Sequence, residues 1–287
     1  NGAVAIAGVP NAIICIDQQA VRMRTARKIP LLELFVARIE TRDLVALHHG
    51  DVNIAIGPWR GVARGKPILD GRTYIRIGSI KTGKIVIYPI ESNIDGKGTQ
   101  LINWTTEAPL MGRPKNDWNK PGKLADFLPR YKDWNFGWLD VPGVIEAAHA
   151  IYEFPMVDRD PLPRWSHGRV TLLGDAAHPM YPIGSNGASQ SIIDGEAITQ
   201  ELSKGDDPEL ALKRYEESRL PPMARIVESN RRKGIDIMLD IVEERAPQGF
   251  QKLDDVLPAA ELEKIVGDYK KLVAQDRETL LRLANAQ

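Results

Sequence analysis

The sequence is poor in several features that mark common classes of protein. Its single cysteine, Cys15, excludes an intramolecular disulfide and any zinc site built from several cysteines, and fits a reducing compartment. Basic and acidic residues balance at 38 each, which argues against a nucleic-acid-binding protein, since those usually carry a basic excess. The most apolar stretch, residues 3–16, is interrupted by Gly8, Pro10 and Asn11, and it is shorter than the ~20 residues that cross a bilayer. It also lacks the basic region of a signal peptide, so we expect a cytoplasmic protein.

The front of the chain also lacks a complete dinucleotide-binding fingerprint. Residues 3–7 predict a buried strand, and Gly8 stands where a G-x-G-x-x-G loop would begin. The sequence continues V-P-N-A-I, without the second and third glycines. We therefore predict an incomplete dinucleotide fold within residues 1–58. The pair His48–His49 has no partners at metal-ligand spacing, so a packed or solvated pair is favoured and no metal is predicted.

The middle of the chain predicts an antiparallel sheet. Residues 72–78, 83–90 and 99–106 alternate apolar and polar side chains, and turns rich in Gly and Asp separate them. Short helices and loops are expected over residues 114–142, which are rich in Trp, Asp and Pro.

The C-terminal part predicts helices. One follows a glycine loop over residues 187–203, and Asp207 is placed to N-cap another, with Pro208 in its first turn. Residues 222–245 and 259–284 are long, charged and amphipathic, which is typical of surface helices.

The most informative segment is residues 169–190, R-V-T-L-L-G-D-A-A-H-P-M-Y-P-I-G-S-N-G-A-S-Q. It predicts a buried strand over 169–175, a sharp corner at Gly174–Asp175, a Pro/Gly loop and the first turn of a helix. A carboxylate at a strand end accepts hydrogen bonds from hydroxyls, and a helix N-terminus favours negative charge. The segment therefore combines a polyol site with an anion site, and a flavin nucleotide carries both groups.

Several motifs in fixed order carry a family resemblance. They are W-R-G (59–61), Y-P-I (88–90), N-W (103–104), Y-E-F-P-M-V-D-R-D-P-L-P-R-W (152–165) and G-D-A-A-H-P-M-Y-P-I-G-S-N-G-A-S-Q-S-I-I-D-G (174–195). With them the chain resembles the group A flavoprotein aromatic hydroxylases, which share the p-hydroxybenzoate hydroxylase fold, and is most similar to their phenazine-hydroxylase branch. The front departs from the family pattern. Either residues of the natural chain are absent from this sequence or the protein itself is shortened, and the residues leave both open.

The resemblance implies an α/β fold of mixed α+β character in three parts. These are an incomplete Rossmann-like FAD-binding domain (1–58 with 157–245), an antiparallel substrate-binding sheet (59–156) and a C-terminal helix (246–287). It implies an FAD-dependent monooxygenase that hydroxylates an aromatic or heteroaromatic small molecule with NADH or NADPH and O2, through a flavin C4a-hydroperoxide. The balanced charge and the lack of a membrane-spanning stretch predict no nucleic-acid or membrane partner, and a homodimer stays open.

The resemblance also implies a set of site residues. Asp175 would hold the ribityl chain of FAD. The remaining cofactor-binding candidates are Gly8, Gly174, Pro182, Gly184, Ser185, Asn186, Gly187 and Ala188. Pro182, Gly184 and Asn186 are the candidate catalytic residues beside the flavin ring. The helix that starts at Gly187 would stabilise the negative charge of reduced flavin through its dipole.

A planar aromatic substrate needs an apolar chamber beside the flavin. Trp59, Tyr88 and Trp104, on or beside the predicted strands, are candidate substrate-binding residues, together with Pro179 and Tyr181 by resemblance. Each ring also fits an ordinary sheet core.

Four charged or titratable side chains admit two interpretations. Arg60, Arg76 and Arg159 fit either a substrate carboxylate or the protein surface. His178 is a possible base, but a structural role is favoured.

Two other functions fit the same fold. The chain would be a non-catalytic member if the front cannot hold FAD, or a flavin-dependent dehydrogenase or reductase if no oxygen is transferred. A yellow holoenzyme excludes the first, and a hydroxylated product excludes the second.

Overall fold

A computed structural model describes residues 13–17, 56–109, 120–154, 156, 158–205 and 207–274 of the chain. Gly8, His48–His49 and the predicted strand at 3–7 lie outside the described residues. The described part forms an antiparallel sheet followed by a group of helices, as the sequence predicts. No helix within these ranges combines the length and apolar character needed to cross a bilayer.

Within the described residues, the structure has seven strands and six α-helices. The strands are β1 (Ile13–Asp17), β2 (Ile56–Gly65), β3 (Thr73–Ser79), β4 (Gly83–Glu91), β5 (Gln100–Pro109), β6 (Lys120–Pro121) and β7 (Ala148–Glu153). The helices are α1 (Leu124–Phe127), α2 (Val141–Glu146), α3 (Gly187–Leu202), α4 (Pro208–Arg231), α5 (Ile237–Arg245) and α6 (Ala259–Leu272).

The strands pair in the order β1-β3-β4-β5-β2-β7-β6, and every pairing is antiparallel. The three strands predicted from alternation are confirmed as β3, β4 and β5. The edge strand β1 is a finding that the sequence did not indicate, because residues 1–58 were assigned to the cofactor domain. Its backbone instead extends the predicted substrate sheet, with Cys15 opposite Ile75.

The two faces of the sheet have different roles. Since side chains alternate along a strand, residues in register share a face. One face carries Trp59 and Trp104, which pack with Phe127 of α1 in an apolar core, and the rings of Trp59 and Phe127 are stacked with centroids 4.8 Å apart. The opposite face carries Arg76 and Lys84, which reach toward the helical part of the molecule.

The helices pack around a second core that includes Trp165, Tyr215 and Met238. Asp207 caps α4 as predicted, because its carboxylate accepts a hydrogen bond from the Glu209 N–H at 3.2 Å. The predicted helix over 222–245 is wrong in its boundaries.

Helix α4 runs without a break through Pro221 and Pro222, and ends at Arg231. The chain then turns at Lys233, which has a φ of 76°, and Gly234, with a φ of 47°, before α5 begins. This left-handed turn, which sequence periodicity does not show, separates the two helices.

The predicted buried strand over 169–175 is not present. Val170 makes a single bridge to His167, and Leu173 is exposed. A parallel strand needs a neighbouring strand for its backbone groups, and none of the described strands pairs with this segment. Its backbone is satisfied locally instead: the Leu172 N–H donates to the Trp165 carbonyl at 3.2 Å, and the Leu172 carbonyl accepts from the Tyr215 hydroxyl at 3.2 Å.

Candidate functional site

A glycine fixes the corner that precedes the candidate site. Gly174 has a φ of 60°, and a Cβ there would lie 2.8 Å from Ser191 Oγ, so only glycine suits the position. One short 3₁₀ turn, Gly174–Ala176, follows and turns Asp175 outward. The Asp175 side chain is exposed and makes no hydrogen bond or ion pair within the described part of the chain. Its carboxylate is therefore free to accept hydrogen bonds from a ligand.

A buried carboxylate from α3 holds this corner in place. Asp194 Oδ2 accepts from the Gly174 N–H at 3.1 Å and from His178 Nε2 at 2.6 Å, while Oδ1 accepts from Arg219 Nε at 2.6 Å. Burial raises the pKa of Asp194, but the His178 and Arg219 hydrogen bonds outweigh burial and keep that pKa below its usual value. His178 is itself buried, so it supports the corner rather than facing a ligand.

The loop after the corner presents backbone donors. A 3₁₀ turn, Pro182–Gly184, ends at Ser185, which has a φ of 53°, and α3 begins at Gly187. The first N–H groups of a helix have no acceptor within it, and Asn186, the N-cap residue, makes no side-chain cap. Within the described part of the chain, the helix start therefore presents unpaired N–H groups and partial positive charge, which would suit an anion.

The sheet braces one side of this loop. Arg76 donates from Nη2 to the Ile183 carbonyl at 2.9 Å, and the hydroxyls of Tyr74 and Ser185 lie 3.2 Å apart. Tyr74 stacks on Tyr88, with centroids 5.3 Å apart. The polar face of the sheet therefore reaches the predicted cofactor loop directly.

Four buried charges lie behind this contact. Asp236, just before α5, pairs with Arg76 and, at 2.6 Å, with Lys84, whose Nζ also lies 2.6 Å from Glu107 Oε2. Each of these side chains is at most 5% exposed. Burial raises the pKa of Asp236, but Lys84 and Arg76 outweigh burial and hold it below its usual value. The cluster is neutral and ties the sheet to the helices.

Comparison with known proteins identifies the segment. The family model described as an FAD binding domain matches residues 153–230. Phenazine 1,6-dicarboxylic acid hydroxylase PhzS of Lysobacter antibioticus is 46% identical over 176 residues, which cover 60% of this chain and 43% of that protein. These matches agree with the resemblance to the group A flavoprotein aromatic hydroxylases. A 6-hydroxynicotinate 3-monooxygenase of Bordetella bronchiseptica is 34% identical over 124 residues, covering 41% of this chain and 32% of that protein.

Solved structures share the fold of these hydroxylases. Klebsiella pneumoniae HpxO complexed with FAD and uric acid superposes with a TM-score of 0.52 at 17% identity, over 74% of this chain and 53% of that one. A salicylate hydroxylase substrate complex superposes with a TM-score of 0.51 at 20% identity, over 77% and 57%. The chain spans less than half the length of each of the two curated relatives, PhzS and the 6-hydroxynicotinate 3-monooxygenase.

The structure gathers some of the predicted substrate residues and not others. Tyr88 lies half-buried on the polar face beside Tyr74, and Pro179 is half-buried before the loop. Tyr181 is 2% exposed and packs with Ile183 and Met156. The prediction that Trp59 and Trp104 bind the substrate is wrong, because strand alternation places both side chains on the opposite, fully packed face of the sheet.

The three arginines considered for a substrate carboxylate differ in whether a carboxylate of the protein already binds them. Arg76 is occupied by Asp236, so it is not available for a substrate carboxylate. Arg159 is exposed, and its neighbours Asp158 and Asp160 pair with Arg231 instead. Arg60 is exposed, lies 4.6 Å over the Phe154 ring, and has no carboxylate partner in the described part.

Sequence reasoning missed three side chains that shape the site. Asp194 supports the corner, while Asn230 and Tyr269 contact the loop from α4 and α6. Asp194 lies in the I-I-D-G sequence that ends the 174–195 motif, so its place in a motif of the family resemblance was a signal that it supports the site. Nothing local signals Asn230 or Tyr269.

Gly187→Val tests whether a ligand requires the bare helix start. A Cβ at Gly187 would meet only Met180 Cγ at 4.0 Å, so the folded protein itself has room for a side chain. We expect FAD binding to weaken by about 1–3 kcal/mol, the usual cost of overpacking, with little change in the thermal midpoint. The matched control is Gly195→Val in the same helix, where a Cβ meets nothing within 4 Å. Equal FAD affinities for the two variants would show that no ligand approaches Gly187.

Proposed function

We propose that this chain is part of an FAD-dependent monooxygenase that hydroxylates an aromatic acid with NADH or NADPH and O2. One observation carries the proposal: the Asp175 carboxylate, which has no partner in the described part of the chain, and the uncapped start of α3 lie on a single loop segment, 174–187. That pairing suits a ligand with both hydroxyls and negative charge. The cytoplasmic location stays a prediction from the sequence.

The residues present fit FAD. Asp175 would accept hydrogen bonds from the ribityl hydroxyls, and residues 184–188 would lie along the flavin ring. Asn186 is 1% exposed and its Nδ2 donates to the Tyr269 hydroxyl at 2.9 Å, so its side chain would hold the start of α3 in place behind the ring. The free N–H groups at Gly187 and Ala188 would stabilise anionic reduced flavin. When bound, FAD supplies the redox chemistry that joins nicotinamide oxidation to O2 activation.

The polar face of the sheet suits the substrate. The half-buried Tyr88 offers an aromatic ring, backed by the buried ring of Tyr74 next to Ser185. Arg60, on the same face of the neighbouring strands by register, offers an unpaired guanidinium for a carboxylate. The names of two relatives, a phenazine dicarboxylic acid hydroxylase and a hydroxynicotinate monooxygenase, also denote aromatic acids as substrates.

Arg60→Met should raise the KM for an aromatic acid by about tenfold or more, because a hydrogen bond to a charged group is worth about 1.5–3 kcal/mol. Turnover at saturating substrate should fall less. Arg64→Met is the control, since Arg64 is also exposed and lies four residues further along β2 on the same face. If both variants raise the KM equally, the effect is one of general surface charge and Arg60 is not the carboxylate partner.

Oxygen transfer separates this function from its alternatives. Purified holoenzyme is supplied with NADH or NADPH and a panel of aromatic acids under ¹⁸O2. We expect substrate-dependent nicotinamide oxidation and one ¹⁸O atom in the product. Nicotinamide oxidation that never yields a hydroxylated product with any panel member would indicate a dehydrogenase or reductase.

A further inference from the structure

The last described helix contacts the predicted cofactor loop through one tyrosine hydroxyl. Tyr269 of α6 accepts a hydrogen bond from Asn186 Nδ2 at 2.9 Å and donates one to Asn230 Oδ1 at 2.7 Å. Asn230 in turn donates from Nδ2 to the Tyr181 carbonyl at 3.0 Å. Both ends of the loop, residues 181 and 186, are therefore joined through α4 and α6.

The packing around this hydroxyl is tight. Asn186, Asn230 and Tyr269 are at most 8% exposed. A Cβ on Gly184 would lie 1.6 Å from the Tyr269 hydroxyl oxygen, so α6 approaches the loop backbone as closely as a glycine allows. A second tie lies just beyond α6, where the Val273 carbonyl accepts from Gln190 Nε2 at 2.8 Å.

The hydroxyl also decides how the Asn186 amide is oriented. Its Nδ2 is used by Tyr269, and its Oδ1 is left buried without a partner in the described part. Burial raises the pKa of Tyr269 to about 12, so the hydroxyl keeps the proton that it donates to Asn230 at neutral pH.

We propose that Tyr269 is a positioning residue: it fixes the 181–187 loop and the Asn186 amide at the start of α3, and so holds the loop in the conformation that binds the flavin. The proposal rests on the function proposed above. It assigns a role to α6, which lies outside the residues 153–230 that match the FAD binding domain. Tyr269 itself would touch the loop and not the ligand.

The test compares Tyr269→Phe with Tyr131→Phe in the full chain. Tyr131 is an equally suitable buried tyrosine, whose hydroxyl donates to the Lys84 carbonyl at 3.1 Å, away from the loop. Both changes remove one buried hydroxyl and keep the ring, so the thermal midpoints of the two variants should fall by similar amounts.

The first readout is hydrogen exchange of the backbone amides in residues 181–190, which needs no cofactor. We expect exchange there about tenfold faster in Tyr269→Phe, since freeing the loop removes about one hydrogen bond from its local stability, and unchanged in Tyr131→Phe.

The second readout is flavin binding. Tyr269→Phe should bind FAD about five- to tenfold more weakly than Tyr131→Phe and should shift the visible absorption bands of the bound flavin. Asn186→Ala cuts one of the same hydrogen bonds from the loop side, so the double variant should lose less FAD affinity than the sum of the two single losses.

The outcomes separate the two proposals. Unchanged loop exchange in Tyr269→Phe, or additive losses in the double variant, would overturn the role of Tyr269. Faster loop exchange in Tyr269→Phe, in a parent chain that binds no FAD, would support the bracing of the loop and overturn the proposed function.

Discussion

Asp236→Asn should lower the free energy of unfolding by about 3–5 kcal/mol, the cost of leaving buried charges without their partner. Asparagine keeps the shape of the side chain but cannot neutralise Arg76 and Lys84, which both pair with Asp236 in the interior. Among the described residues, Glu107 would remain as the carboxylate paired with Lys84. Urea denaturation followed by circular dichroism measures the loss.

Asp240→Asn is the matched control for this prediction. Asp240 lies in α5 and pairs with the half-exposed Lys233, and exposed pairs contribute about 1 kcal/mol or less.

The prediction also has a pH dependence, because the pKa of Asp236 is lower in the folded state than in the unfolded state. The stability that Asp236 contributes is fully present above its unfolded pKa, near 3.8, and is lost as the pH falls through the lower folded pKa. The gap between parent and Asp236→Asn should therefore narrow only in strong acid. Equal losses for both variants at neutral pH would contradict the role of the buried cluster.

Asp175→Ala should weaken FAD binding by about 1.5–3 kcal/mol, the value of hydrogen bonds to a charged group. The side chain is exposed and unpaired in the described part, so its removal should leave the thermal midpoint unchanged. Isothermal titration with FAD gives the affinity, and Asp126→Ala, at an exposed aspartate of α1, is the control. FAD affinity equal to that of the control would remove Asp175 from the site.

Local patterns predicted the parts of the fold that local chemistry determines. Alternation located β3, β4 and β5, and the Asp207–Pro208 pair located the start of α4. Alternation alone does not say which face of a sheet turns toward a ligand, so Trp59 and Trp104 were assigned to the substrate when they belong to the core. The strand over 169–175 failed for a related reason: its formation depends on a neighbouring strand, which no local pattern reveals.

The candidate site also has parts that could be predicted from the sequence and parts that could not. The Gly174–Asp175 corner and the Gly187 helix start could be predicted because each depends on a few consecutive residues. Its supports could not be predicted, since Asn186 and Tyr269 are 83 residues apart and Lys84 and Asp236 are 152 apart. Such contacts depend on how whole elements pack.

A titration of the purified chain with FAD decides whether residues 174–188 form a cofactor site. Flavin absorbance and fluorescence quenching are followed until the site is saturated. If residues 174–188 hold the cofactor, we expect a yellow complex with one FAD per chain. Asp175→Ala and Gly187→Val should weaken FAD binding, whereas Asp126→Ala and Gly195→Val should leave it unchanged. A chain that binds no FAD, or binds it equally well in all four variants, would contradict the account.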